Sequence, residues 1–352
     1  MFSGLSDAAV LALMGLGGGV VLGLAARLGR FCTLGSIEDF LYQGSSLRLR
    51  MWGLAIGFAG LCAHGLMALG LLDPAQSVYH LAPWTPVMAI FGGLLFGYGM
   101  ALAGNCGFGA LARFGGGDLR SFVVVVVMGI SAYIVLSGPF AAARVWAVSA
   151  TEIQIQPRSY PELISAASGL APLLIGTVIS LAIIAVSLTS AQFRQRPAMV
   201  FTGTMVGLAV VSGWAGTQWV ATHGFSDSAV QSHTFTSPLG ETLLFLMTSS
   251  GGGLSFGVGS VFGVLSGAFA GSLVKGHFRW EACEDPRELK RQVLGAAFMG
   301  AGAILALGCT IGQGISAFSL LTLNAPLVFA AIFIGAAVGL RQLITGLSFE
   351  RI

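Results

Sequence analysis

Three of the five cysteines in this chain share a setting that the other two lack. Cys32 lies in LAARLGRFCTLG, Cys106 in AGNCGFG and Cys309 in ALGCTIGQG, and each has a glycine three residues later: Gly35, Gly109 and Gly312. Glycines around a cysteine at the end of an apolar helix break the helix and free backbone N–H groups. Hydrocarbon tolerates this only where the backbone is buried in protein or lines a polar cavity. Freed N–H groups and the start of the next short helix offer partial positive charge to an anion. The thiol adds a weak, polarizable donor. Such a site suits a soft anion with an exposed sulfur, held without burying a full cation.

Asn105, Gly107, Thr310 and Gln313 lie inside two of these motifs and are candidate substrate-binding residues with the three cysteines. For Asn105, Thr310 and Gln313 the alternative role is to cap loose backbone groups at the helix break. Arg27 and Arg30 stand just ahead of Cys32, near one face of a helix, and either could attract a dianion. Otherwise they anchor the cytoplasmic end of the first helix by snorkelling. Cys62, inside an apolar run, and Cys283, in RWEACEDPRE, read as ordinary small side chains. There is no CxxC pair, so neither a disulfide framework, a zinc site nor a cofactor is expected. His64 and Glu241 read as packing residues, and His223 and His233 fall in a polar segment read as an external loop.

The elements that must position these residues are set by a membrane. Only 9% of the residues are charged and 55% are hydrophobic, and the mean hydropathy is +0.86. So few charges could not cover a soluble protein of 352 residues. The N-terminus lacks a basic region and a small-residue cleavage site, and reads as a retained helix. Apolar runs long enough to span lie near 8–26, 51–72, 86–104, 121–142, 168–189, 198–216, 242–274, 292–308 and 326–345, the seventh long enough to be broken. Placing the basic segments in the cytoplasm gives about nine crossings, with the N-terminus outside and the C-terminus inside. Short re-entrant half-helices are expected around Cys32, Cys106 and Cys309.

The expected fold is therefore an all-α polytopic membrane protein forming one integral transport domain over 1–352. Residues 92–109, GGLLFGYGMALAGNCGFG, and 295–312, GAAFMGAGAILALGCTIG, align Cys106 with Cys309, Gly97 with Gly300 and Gly99 with Gly302. On the crossing count the helix before Cys106 runs inward and the one before Cys309 outward. Two inverted, pseudo-symmetric halves are expected, approximately 8–142 and 242–345, joined by spans 168–216. A weaker likeness sets 19–32 beside 259–272, with Cys32 over Ser272.

The GRFC segment, AGNCGFGALARFGGGDLRSFVV, the RWE segment and ALGCTIGQGISAFSLL resemble the YeeE/YedE sulphur-transport family of bacterial inner membranes over nearly the whole chain. The resemblance implies thiosulfate uptake through an hourglass-like helical protein, with Cys32, Cys106 and Cys309 lining the path. It also implies a multi-pass protein of the bacterial inner membrane. The ligand expected is thiosulfate or a related small anion; members linked to selenium metabolism make a selenium species the alternative. Further expected partners are the lipid bilayer and a cytoplasmic sulfur-carrier or sulfurtransferase protein, with no nucleic acid. The competing class is a membrane-embedded thiol sulfurtransferase or redox enzyme. That chemistry requires an activated thiolate beside a base, or a cysteine pair, and the motifs offer neither.

Overall fold

The computed structural model describes residues 6–155, 158–224, 229–249, 253–282 and 285–346; Cys283 lies outside them. The described residues form α1 (Asp7–Leu28), α2 (Thr33–Tyr42), α3 (Leu47–Ala68), α4 (Val78–Leu81), α5 (Pro86–Ala103), α6 (Gly107–Gly115), α7 (Leu119–Leu136) and α8 (Ala141–Thr151). They continue with α9 (Tyr160–Ser168), α10 (Pro172–Leu188), α11 (Ala191–Arg194), α12 (Pro197–His223), α13 (Ser237–Thr248), α14 (Phe256–Val274), α15 (Pro286–Leu305) and α16 (Asn324–Thr345). A π-helical turn, Gly312–Ala317, follows Cys309. No strand forms among the described residues, so the protein is an all-α polytopic membrane protein.

Among the described residues, seven helical segments are long and apolar enough to cross a bilayer. The expectation of about nine differs for local reasons. Helix α10 has 17 residues, short of the roughly 20 that a span needs. Helix α15 opens with the charged turn PRELKR. The run 242–274 is divided between α13, of 12 residues, and α14, of 19, of which α14 alone is long enough to span.

Helix ends fall where capping chemistry puts them. Asp118 accepts the backbone N–H groups of Arg120 and Ser121 at the start of α7, and Asp285 accepts that of Arg287 just ahead of Pro286 in α15. Helix α5 stops at Gly104, whose φ of 76° is the left-handed conformation that glycine adopts without a Cβ clash. The matching break after α15 places Leu307 at φ 57°, strained for a side chain of that shape.

Glycines bring the helices to backbone contact. On α5 and α15, Gly92 faces Gly302 and Gly99 faces Gly295. A Cβ at any of these would lie 2.5–2.7 Å from a carbonyl oxygen of the partner glycine. Ascending residues on α5 meet descending residues on α15, so the two motif helices run antiparallel. Helices α1 and α14 pack as closely, Gly19 against Gly263, but residues 15 to 23 meet residues 256 to 268 in ascending order. They run parallel, whereas helices exchanged by an axis in the membrane plane run opposite. The glycine likeness of 19–32 and 259–272 is accounted for by their packing on each other, small residues allowing close approach in lipid.

Candidate functional site

The helix breaks after α1, α5 and α15 each carry one motif cysteine. Cys32 is the N-cap residue of α2 and Cys106 that of α6. Cys106 acts as a serine cap would: its Sγ accepts the N–H of Gly109 at 3.4 Å. Cys309 accepts a backbone N–H from elsewhere in the chain, that of Phe235, at 3.3 Å. A thiol whose sulfur already accepts retains its own S–H for donation. Cys106 and Cys309 are 0% and 1% exposed.

Phe235 ties the two buried thiols together. Its N–H reaches Cys309, while its carbonyl lies 3.1 Å from where a Cβ on Gly107 would sit. A single residue thus spans from one motif to the other. Cys106 lies within electrostatic reach of both Cys32 and Cys309, with Thr310 beside its thiol. The three motif thiols therefore lie in one region of the fold. Phe108 packs there, its ring centroid 5.3 Å from that of Phe235.

The recurrent glycine three residues after each cysteine has a steric reason. A Cβ at Gly35 would overlap the Arg48 guanidinium and lie 3.8 Å from the Cys32 sulfur. At Gly109 it would lie 3.3 Å from the Asn105 Cβ and 3.7 Å from the Cys106 sulfur. At Gly312 it would lie 2.5 Å from the Thr234 hydroxyl and 3.2 Å from that of Tyr79. In each motif the missing side chain clears the approach to the thiol or makes room for a polar group beside it.

Two motifs also hold a buried polar atom without a hydrogen-bond partner next to the cysteine, Thr33 Oγ1 and Asn105 Oδ1, whereas Thr310 hydrogen-bonds the Cys106 thiol. Buried polar atoms are nearly always satisfied, so these orphans leave hydrogen-bonding capacity beside the thiols. Thr33 was not singled out in the sequence. The signal was available in the match of Cys-Thr-Leu-Gly at 32–35 to Cys-Thr-Ile-Gly at 309–312.

The remaining candidates fall in different places. Gln313 spends its amide nitrogen on the carbonyls of Ala306 and Leu307, both at 3.0 Å, capping the break after α15 while its Oε1 stays unpartnered. Gly107 is packed against Met128 and Phe235. Arg27 donates to Ser272 Oγ at 2.7 Å. Both Arg27 and Arg30 line a cavity of about 410 Å³ with Cys32, Asn105, Gly109, Arg48, Arg113 and Lys275. Arg30 holds φ 54° at its rim, an uncommon conformation for a side-chain-bearing residue. The carboxylate of Glu38 also faces this cavity, and Asp39 pairs with Arg48 at 3.1 Å. Cations therefore dominate the wall, and a narrow cleft concentrates their field on an approaching anion.

A second cavity, of about 760 Å³, lies at the other end of α3, bordered by His64, Asp73, His80, Glu162 and Gln218. His233 is not in an external loop as expected. It is fully buried, its Nδ1 2.7 Å from Ser260 Oγ, and it anchors the segment that delivers Phe235 to Cys309. Hydrophobic-pattern reading misses this because a short re-entrant segment has too few apolar residues to register.

Thiols buried at helix breaks of a multi-pass membrane protein, beside a cationic cavity, define a transport protein for a small anion. The chain belongs to the Sulphur transport family, whose model matches residues 27–338. Among curated relatives, the thiosulfate transporter TsuA of Escherichia coli (strain K12) is 26% identical over 328 residues, covering 88% of this chain and 88% of that protein. The thiosulfate transporter TsuA of Spirochaeta thermophila is 25% identical over 323 residues, covering 90% of this chain and 93% of the relative.

Proposed function

We propose that this chain takes up thiosulfate by passing the anion along Cys309, Cys106 and Cys32 without covalent change. The observation that carries the reading is that the motif cysteines adjoin buried polar groups with unused hydrogen-bonding capacity, while Cys106 and Cys309 each accept a backbone N–H. The terminal sulfur of the anion accepts successive S–H bonds, and the threonine hydroxyls and freed N–H groups address its oxygens. A dianion is costly to desolvate in a membrane, so several weak donors in series serve better than one tight site. Weak, repeated binding also permits release.

The direction follows from charge. The cationic cavity beside Cys32 lies at the basic, cytoplasmic end and collects the anion as it leaves the thiols. A cytoplasmic sulfur carrier or sulfurtransferase is the partner that this exit would serve. The antiparallel course of α5 and α15 supports an inverted relation between the segments around Cys106 and Cys309, one in each half of the transport domain.

Sulfate competition tests the reading of the sulfur end. In proteoliposomes, excess sulfate is expected to leave uptake of labelled thiosulfate nearly unchanged, whereas unlabelled thiosulfate suppresses it. Sulfate puts a strongly hydrated oxygen where the thiols meet sulfur, and polar sites reject analogues that leave their groups mismatched. Equal suppression by the two anions would remove the thiols from recognition and assign them to packing.

A further inference from the structure

We propose that the hydroxyls of Tyr79 and Thr234 form, with the Cys309 thiol, an outer recognition site that holds both ends of a sulfur oxyanion at once. The inference rests on the uptake reading above and deepens it, naming side chains for the oxygen end that the motifs themselves do not supply. Neither residue belongs to a cysteine motif; Tyr79 lies in α4 and Thr234 in the segment ahead of α13.

The geometry is built, not incidental. Thr234 Oγ1 lies 3.8 Å from Cys309 Sγ. The Thr234 and Tyr79 hydroxyls lie 2.5 and 3.2 Å from one point, the place where a Cβ on Gly312 would sit. The two hydroxyls thus meet at Gly312, whose missing side chain lets them approach, and the Cys309 thiol lies beside that of Thr234. The two segments are fastened to each other, since Val78 donates its N–H to the Val230 carbonyl at 3.1 Å. Ser316 Oγ donates to the His233 carbonyl at 2.7 Å, holding Thr234 against the turn that follows Cys309. The Tyr79 ring meets Trp214 edge-on at 6.1 Å, and Trp214 is itself fixed by donating to Ser319 Oγ at 3.0 Å.

A second observation points to a guest. Thr236, 2% exposed, lies two residues from Thr234 on the same segment, and its hydroxyl oxygen has no partner in the protein. Burial pushes the Tyr79 phenol above its ordinary range, so it remains a neutral O–H donor. Hydroxyls pair best with hard, charged oxygen; a thiol tolerates soft sulfur. Set side by side, they match an anion that carries oxygens at one end and a bare sulfur at the other. Neither a simple oxyanion nor a sulfide satisfies both.

Tyr79→Phe and Thr234→Val remove one hydroxyl each and nearly preserve shape. In proteoliposomes each is expected to raise the KM for thiosulfate about tenfold or more, the scale of one hydrogen bond to a charged group, with maximal rate changed far less. Thr234→Ser should restore the wild-type KM, and Gly312→Ala, which pushes a methyl between the hydroxyls, should raise it. Unchanged KM in folded Tyr79→Phe and Thr234→Val overturns the site while leaving uptake intact. Absence of thiosulfate uptake by the unmodified protein overturns the underlying reading itself. Should Thr234→Val fail to fold, Tyr79→Phe and Gly312→Ala decide by the same criterion.

Discussion

Cells that depend on this protein and on thiosulfate as sole sulfur source are expected to stop growing when Cys309 or Cys106 is replaced by alanine. Both thiols are buried, and each sulfur accepts a backbone N–H. The fold should survive. Cys309→Ala leaves the Phe235 N–H without its acceptor, a loss of about 1–3 kcal/mol, and Cys106→Ala removes a cap worth about 1 kcal/mol. Neither matches the packing that holds the helices. Uptake should therefore fall to background with membrane-inserted protein at near-normal levels. Cys32→Ala should impair uptake less, because that thiol is half-buried and opens on the wide cationic cavity. Cys62→Ala, in the middle of α3 and outside the motifs, should be silent. Normal growth with both Cys106 and Cys309 replaced ends the relay account.

Gly97→Leu is expected to prevent folding altogether. A Cβ there overlaps the Ile332 carbonyl on α16 and lies 2.8 Å from the Ala336 nitrogen, both rigid backbone. Relief requires separating α5 from α16, and α5 is held by glycines against α15 on another side. Overpacking by a single side chain costs about 1–3 kcal/mol where neighbours can move; here backbone meets backbone, and the loss belongs to the exceptional class above about 4 kcal/mol. Gly17, on α1, is the control, since a Cβ there meets nothing within 4 Å. Gly17→Ala should leave thermal unfolding in detergent unchanged or slightly raised, while Gly97→Leu yields little monodisperse protein. Similar yields and melting for the two would show that the glycine contacts do not govern assembly.

Much of this arrangement was legible in the residues. Low charge and long apolar runs dictate a polytopic helical protein, and Cys-x-x-Gly marks the three helix breaks that carry the thiols. What escaped was whatever depends on a distant segment. Thr234 and Phe235 lie 75 and 74 residues from the Cys309 they touch, and no local pattern announces such a contact. His233 looked external because a polar stretch after a long helix usually is; its burial depends on Ser260, from α14, accepting or donating to the ring. Arg48 carries no local signal of a site, although its guanidinium fills the space left by Gly35. The likeness of α1 to α14 illustrates the opposite error. Glycine spacing records that a helix packs closely, and two helices that pack on each other share it as readily as two that are related by symmetry.

Counterflow in liposomes tests the central claim most directly. Vesicles containing the purified protein are loaded with unlabelled thiosulfate and diluted into a trace of labelled thiosulfate. Intact-mass measurement of the cysteines is made during turnover. The account predicts transient accumulation of label inside, abolished by Cys106→Ala or Cys309→Ala, with all cysteines at their unmodified mass. Label that fails to accumulate, or a persulfide or mixed disulfide that builds up on a motif cysteine as thiosulfate is consumed, contradicts it.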